Sequence, residues 1–289
     1  MHYTTVSSTM DLEIAREVLT HAILACEALG LNPPEANQWR EILRDLPLPR
    51  INAEGRLEEW TEDVVAADPA HRTLSPLWGL FPGDRISTER SPVWKNAARK
   101  LLEFRLAAGD GNANGWVFPW RAGLFARLND GDRALEQLDK MARCCVNDNL
   151  LPLVTDWRGQ GRTANWFGNK KILMIEAGLA TPAVIAEMLM QSHGGVIRIL
   201  PALPARWPKG RVTGLAARGG FTVDIEWSAG RASRASRVRI HSRLGNRCRL
   251  RIGDRDRDFP TVAGKSYEFS GAGRRTGVAP PEPRLKLAT

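Results

Sequence analysis

One irregular stretch of this chain, Gly55 to Gly83 (GRLEEWTEDVVAADPAHRTLSPLWGLFPG), gathers residue types that could handle a polyhydroxylated ligand. It holds three acids (Glu58, Glu59, Glu62), a His-Arg pair (His71, Arg72) and two tryptophans (Trp60, Trp78). Carboxylates accept hydrogen bonds from hydroxyls. Indole rings offer a flat apolar face beside a polar edge. Acids next to Trp faces therefore suit a sugar, whose hydroxyls meet the acids and whose C–H faces stack on the rings. Long polar and aromatic connections between helices are also where helical enzymes carry substrate contacts on a rigid scaffold.

The elements that must hold this stretch are helices. Ser8-Thr9 caps a run in which Leu12, Ala15, Val18, Leu19, Ala22, Ile23 and Cys26 recur at helical spacing, and Gly30 stops it. A second helix starts at Pro34, with Asn32 as its cap, and places Trp39, Ile42, Leu43 and Leu46 on one face. Ser91-Pro92 opens a third helix, which runs to about Ala107. Others are predicted over Trp116–Leu128, Asp132–Cys144 and Pro182–Ser192. After Gly195 the apolar period changes to two: Val196-Ile197, Ile199-Leu200, Val212–Ala217, Phe221–Trp227, Val238–Ile240 and Leu250–Ile252, separated by Gly-rich turns. The expected organisation is a helical domain over 1–194, an antiparallel β-sandwich over 195–275 and a disordered tail over 276–289.

Composition bounds the chemistry. With 289 residues, 43% hydrophobic and 25% charged, the chain can bury two cores. It has no run of ~20 apolar residues suited to a membrane span. Its first residues, MHYTTVSSTMDLEIA, lack the basic and apolar regions of a signal peptide. Cys26, Cys144, Cys145 and Cys248 have no CxxC spacing, so neither a zinc site nor a disulfide framework is expected. His193 and His241 stand alone and receive no metal role. The formal charge of +9 is concentrated in residues 194–289, which carry 20 Lys+Arg against 7 Asp+Glu. That half could be read as a nucleic-acid surface. Its arginines, however, are scattered through strand-like alternation without stacking aromatics, so neither nucleic acid nor membrane is the expected partner.

Six segments, in order, resemble glycoside hydrolase family 95, the α-L-fucosidase and α-L-galactosidase family. They are SSTMDLEIAREVL (7–19), LPLPRINAEGRLEEWTEDV (46–64), HRTLSPLWGLFPG (71–83), NGWVFPWRAGLFARLNDGDRA (114–134), DNLL (148–151) and IAEMLMQSHGGVIRILPALPARWPKGRVTGLAARGGFTVDIEW (185–227). The resemblance implies an inverting enzyme acting on fucosylated oligosaccharides, with no cofactor, built on an (α/α)6 barrel flanked by β domains. Inversion uses an acid on the leaving oxygen and a base that activates water on the opposite face. Six helices would make about half of that barrel. A partial toroid should expose the faces its other helices would cover, so self-association through them is expected.

By the same resemblance, Glu59, Trp60, His71, Arg72 and Trp116 fall at substrate-binding positions. The family's catalytic aspartate stands eleven residues before the glutamate of the EML helix, and counting back from Glu187 gives Glu176. Where the family reads His-Arg-His followed by Ser-His, this chain has Thr73 and Pro76 in place of the second and third histidines. The family's general acid and base asparagine lie upstream of the Thr9-Met10-Asp11 motif, and numbering starts at Met1. The expectation is a C-terminal portion of an α-L-fucosidase-like hydrolase, inactive as an isolated chain. Its rivals are a carbohydrate-binding remnant or partner subunit, and a complete enzyme severed in the gene model. Among the other polar groups, Glu58 and Glu62 are expected to be solvated, and Arg72 to pair with Asp63 or Asp68.

Overall fold

The structure is a computed structural model and describes residues 7–62, 68–87, 91–110, 113–160, 170–228, 235–271 and 275–279. The chain divides into two compact units, one of residues 1–120 and 140–178, the other of 121–139 and 179–289.

The first unit begins with α1 (Thr9–Leu29). The Ser8 hydroxyl accepts from the Asp11 amide at its N-terminus, and Gly30 (φ 67°) closes its C-terminus in the left-handed region. The next helix, α2 (Glu35–Asp45), starts without a side-chain cap, so the expected Asn32 cap is not formed. Pro34 has no N–H to satisfy at that end, which removes part of the need for one. Arg16 of α1 reaches the carbonyls of Leu43, Leu46 and Pro47 at 3.0, 2.8 and 3.2 Å, satisfying the orphan acceptors at the end of α2. A short 3-10 helix (Ser75–Leu77) precedes α3 (Pro92–Ala107), whose proline lies in the first turn as predicted. Three further helices, α4 (Val117–Arg127), α5 (Gly131–Cys144) and α6 (Ile175–Leu189), each have residues in both units. Ala113, Val117, Phe118, Met141, Cys144, Cys145 and Met174 close an apolar cluster in the first unit. Burial pushes the Cys145 thiol up to about 12, with Cys144 and Asp156 adding to the effect, which leaves it unreactive at neutral pH.

The sequence places the last helix over Pro182–Ser192, but α6 starts seven residues earlier, carries Pro182 internally and stops at Leu189. Residues 190–193 instead form β1 (Met190–His193), because each finds an antiparallel partner in β2 (Val196–Ile199). Gly194 and Gly195, with φ of 60° and 76°, make the turn between them.

The second unit contains two sheets. One has the order β1, β2, β6 (Cys248–Ile252), β7 (Arg255–Phe259). The other has the order β3 (Gly210–Ala217), β4 (Phe221–Trp227), β5 (Ala235–Ser242), β8 (Ser266–Ser270), β9 (Arg275–Ala279). Met190, Ile197 and Ile199 from the first sheet share a core with Val223, Ile225, Val238, Ile240 and Phe269 from the second. The pairing is antiparallel, as expected, except between β2 and β6, which run parallel. The chain leaves β2 and returns to its side only after three strands of the other sheet, which allows the parallel approach. Of the expected tail, 276–279 belong to β9, and 280–289 lie outside the described residues.

Several arginines of this unit pair with neighbouring carboxylates across the strands. Arg211, Glu226 and Arg237 are successive cross-strand partners, as are Arg239 and Glu268. Glu268 receives Arg237 at 2.6 Å and Arg239 at 3.0 Å. Those guanidiniums hold its carboxyl below the usual range. The pairs stand on the outer positions of strands whose alternate residues fill the core, so the charge pattern serves the sheet face.

Candidate functional site

A cleft of about 540 Å³ opens in the first unit, lined by Asn52, Glu54, Arg56, Glu58, Glu59, Trp60, Glu62, Pro76, Phe104 and Arg105 among others. Three pieces of chain build it. The arm 50–62 doubles back through a tight turn in which the Asn52 side chain accepts from the Arg56 amide at 2.9 Å. Gly55 has φ 77°, a conformation that L-residues rarely adopt. The arm is then pinned to the start of α1: the Thr9 amide donates to the Glu59 carbonyl (2.9 Å) and the Thr9 hydroxyl to the Glu58 carbonyl (2.7 Å). Alternation from buried Leu57 puts Glu59 on the same side. The second piece carries Pro69 and Pro76, and the third is α3, where Leu101, Phe104 and Arg105 recur at i, i+3 and i+4 and so share one face.

Glu59 is the best-organised acid here. Its Oε1 accepts from the Ser75 hydroxyl at 2.5 Å and its Oε2 from Arg105 Nη2 at 3.1 Å. The Arg105 side chain is 6% exposed and that of Glu59 22%. Glu58, expected to be solvated, is instead paired with Arg50 at 3.3 Å, because the turn sets Arg50 and Glu58 side by side. Glu62 is exposed. Arg56 pairs with Glu54 at 3.2 Å and lies over the Phe104 ring at 4.1 Å.

The other residues singled out from the sequence are placed around this cleft unevenly. Trp60 lines it. His71 and Arg72 are half-buried and are not among its lining residues. The Thr73 hydroxyl stands 2.6 Å from His71 Nδ1, with the Thr73 amide 3.4 Å away. An Nδ1 that accepts from both leaves the proton of a neutral ring on Nε2. Asp63 lies outside the described residues, and the Asp68 side chain accepts from the Ala70 amide at 2.9 Å. Pro76, where the family resemblance places a histidine, supplies an apolar part of the cleft wall. Trp116 packs against the Phe118–Met141 cluster with its ring 6.3 Å from that of Trp120. Glu176 is exposed in the first turn of α6 and does not line the cleft.

Sequence reasoning missed Ser75 and Arg105. Ser75 lies inside the quoted loop motif. Arg105 sits on an otherwise apolar helix face, and that mismatch was the signal available. It also missed Glu13, two residues beyond the acid of the Thr-Met-Asp motif. The Glu13 side chain is 1% exposed and accepts from Arg85 Nη1 at 2.5 Å. Gly79 makes room for it: a Cβ there would stand 2.8 Å from Glu13 Oε2. The glycine of the Gly-Trp motif has a similar steric reason. A Cβ on Gly115 would come within 2.2 Å of the Leu153 carbonyl oxygen. Gly115→Ala is therefore expected to cost about 1–3 kcal/mol, read as a lowered urea midpoint with unchanged slope.

Comparison with known proteins agrees with the motifs. Residues 1–189 match the model of the glycosyl hydrolase family 95 catalytic domain, and residues 191–272 that of the glycoside hydrolase family 95 C-terminal domain. The chain is 37% identical over 226 residues to "Alpha-L-fucosidase 2" of Arabidopsis thaliana, an alignment covering 78% of this chain and 26% of that protein. It is 27% identical to "Probable alpha-fucosidase A" of Aspergillus oryzae over 267 residues, 83% of this chain and 35% of the relative. The protein of the same description from Aspergillus niger is 27% identical over 191 residues, covering 62% and 22%. The chain thus spans between about a fifth and a third of the length of these relatives. Two consecutive domain matches, together with the ordered motifs around the Glu59 cleft, place this chain in glycoside hydrolase family 95.

Proposed function

We propose that this chain is the C-terminal portion of an inverting α-L-fucosidase-like hydrolase, and that by itself it binds fucosylated oligosaccharides without cleaving them. Its helices are read as the later half of an (α/α)6 toroid. The observation that carries the reading is the cleft itself, where an acid with both oxygens anchored, Glu59, stands with Trp60 and Phe104 in a space of about 540 Å³. That volume fits a small oligosaccharide, and its mixed aromatic and acidic lining suits the two faces of a sugar. Binding without cleavage is supported by Glu176, which replaces the family's aspartate with a longer acid and stands exposed outside the cleft lining. A reacting group displaced by ~1 Å can lose about a hundredfold in rate. The replacements at Thr73 and Pro76 remove two further polar groups from the family's pattern.

The test pairs two measurements on the 289-residue chain. Calorimetric titration with Fucα1-2Galβ1-4Glc is expected to show saturable binding that Trp60→Ala abolishes. Incubation with p-nitrophenyl α-L-fucoside is expected to release no nitrophenol above the uncatalysed rate. Measurable release would overturn the reading of an inactive chain, and absence of titration heat would overturn the glycan site.

A further inference from the structure

We propose that Arg105 is the positioning residue of this cleft, holding Glu59 in the one orientation that meets a sugar hydroxyl. The proposal rests on the glycan-binding reading above. Arg105 uses both arms of its fork. Nη2 donates to Glu59 Oε2 at 3.1 Å, and Nη1 donates to the carbonyls of Asp68 and Pro69 at 2.9 and 3.4 Å. One planar group thereby ties α3 to the arm that carries Glu59 and to the turn that opens the next stretch of loop. Ser75 completes the arrangement from the 3-10 helix, on the other carboxylate oxygen. A glutamate side chain left to itself samples many rotamers, and a ligand would have to order it on binding. Here that ordering is done in advance by the fold.

The geometry leaves capacity for a ligand. An ionised carboxylate has about four lone-pair positions, and among the described residues one on each Glu59 oxygen is used. The remaining positions accept from hydroxyls. Arg105 itself is only 5% exposed and anchored beside Leu101 and Phe104, so its effect on a sugar passes through Glu59. Lysine would not substitute, since an ammonium on a flexible stem lacks the fixed fork that reaches a carboxylate and two carbonyls together.

The experiment measures the affinity of the full chain for Fucα1-2Galβ1-4Glc by calorimetry, alongside thermal midpoints. Arg105→Met and Ser75→Ala are each expected to weaken binding by about tenfold or more, the worth of one hydrogen bond to a charged group. Adding Arg105→Met to Glu59→Gln should weaken binding no further than Glu59→Gln alone, because the arginine acts only through that acid. Arg105→Lys should recover most of the thermal midpoint while leaving affinity reduced. A merely structural arginine would give affinity losses that follow the midpoint and add to those of Glu59→Gln, and that result would overturn the proposal. Unchanged affinity in Ser75→Ala and Arg105→Met, with the unaltered chain binding, would overturn it too and leave the glycan site standing. Ser75→Ala, a small change, keeps the question answerable if Arg105→Met fails to fold. Lack of binding by the unaltered chain would overturn the glycan reading and the role of Arg105 with it.

Discussion

Arg85→Met is expected to destabilise the first unit by about 3–5 kcal/mol at neutral pH, a loss that shrinks on acidification. The reason lies in Glu13. Its side chain is 1% exposed, Arg85 is its hydrogen-bonded partner at 2.5 Å, and its second oxygen is buried with no hydrogen-bond partner among the described residues. Arg16, the other cation near it, already spends its guanidinium on the last carbonyls of α2. Burial pushes the Glu13 carboxyl above its ordinary value of 4.5, although Arg85 and Arg16 pull the other way. Removing Arg85 takes away the larger of those opposing pulls and leaves a charge in an apolar site. The group escapes by taking up a proton, so the cost grows with pH.

The sign for the unaltered protein follows from the same shift. The folded state holds a proton on Glu13 at a pH where the unfolded chain has released it. The stability this contributes is full below 4.5 and is lost as pH rises through the raised folded value. Glu13→Gln, which carries no titrating group, should flatten that part of the profile. Urea unfolding of the three proteins at pH 4.5 and pH 7.5 checks the prediction. An Arg85→Met loss as large at pH 4.5 as at pH 7.5 would contradict it.

The second large effect is in the other unit. Glu187→Ala is expected to cost about 3 kcal/mol or more, independent of pH between 5 and 8. Glu187 accepts from Arg127 Nε at 2.7 Å and Nη2 at 3.2 Å, and the Arg127 side chain is 6% exposed. This bidentate pair ties α4 to α6, and the Gln191 side chain adds a bond of 2.8 Å from β1 to the Ala126 carbonyl. Glu13 can neutralise itself when its partner is lost, but arginine cannot deprotonate in this range, so the buried charge persists whatever the pH. Glu187→Gln keeps an acceptor and should lose less. Thermal unfolding at several pH values distinguishes the two cases: a pH-dependent loss for Glu187→Ala would show that the cost is not the loss of the carboxylate facing the guanidinium.

These two pairs also show where sequence reading stopped. Glu187 was legible as the landmark of the EML helix and served to locate Glu176, but nothing local announced Arg127, 60 residues away, as its partner. The glutamate of the Glu-Trp motif was legible as a site candidate. Its anchors, Ser75 and Arg105, lie 16 and 46 residues further on. Glu58 read as solvated, yet the turn at Asn52–Gly55 brings Arg50 beside it.

The sequence by itself determined the features that depend on neighbours along the chain. Ser8 and Gly30 bound α1, Ser91-Pro92 opens α3, and the two-residue period of Phe221–Trp227 faces alternate residues inward, because caps, proline geometry and side-chain direction are set within a few residues. Its motif order also determined the family. Only the tertiary structure decided which polar groups meet: Glu59 with Arg105, Glu13 with Arg85, and β2 alongside β6 in parallel. Such contacts join residues far apart in the chain, and hydrophobic period and turn chemistry carry no record of a partner that is adjacent only after folding.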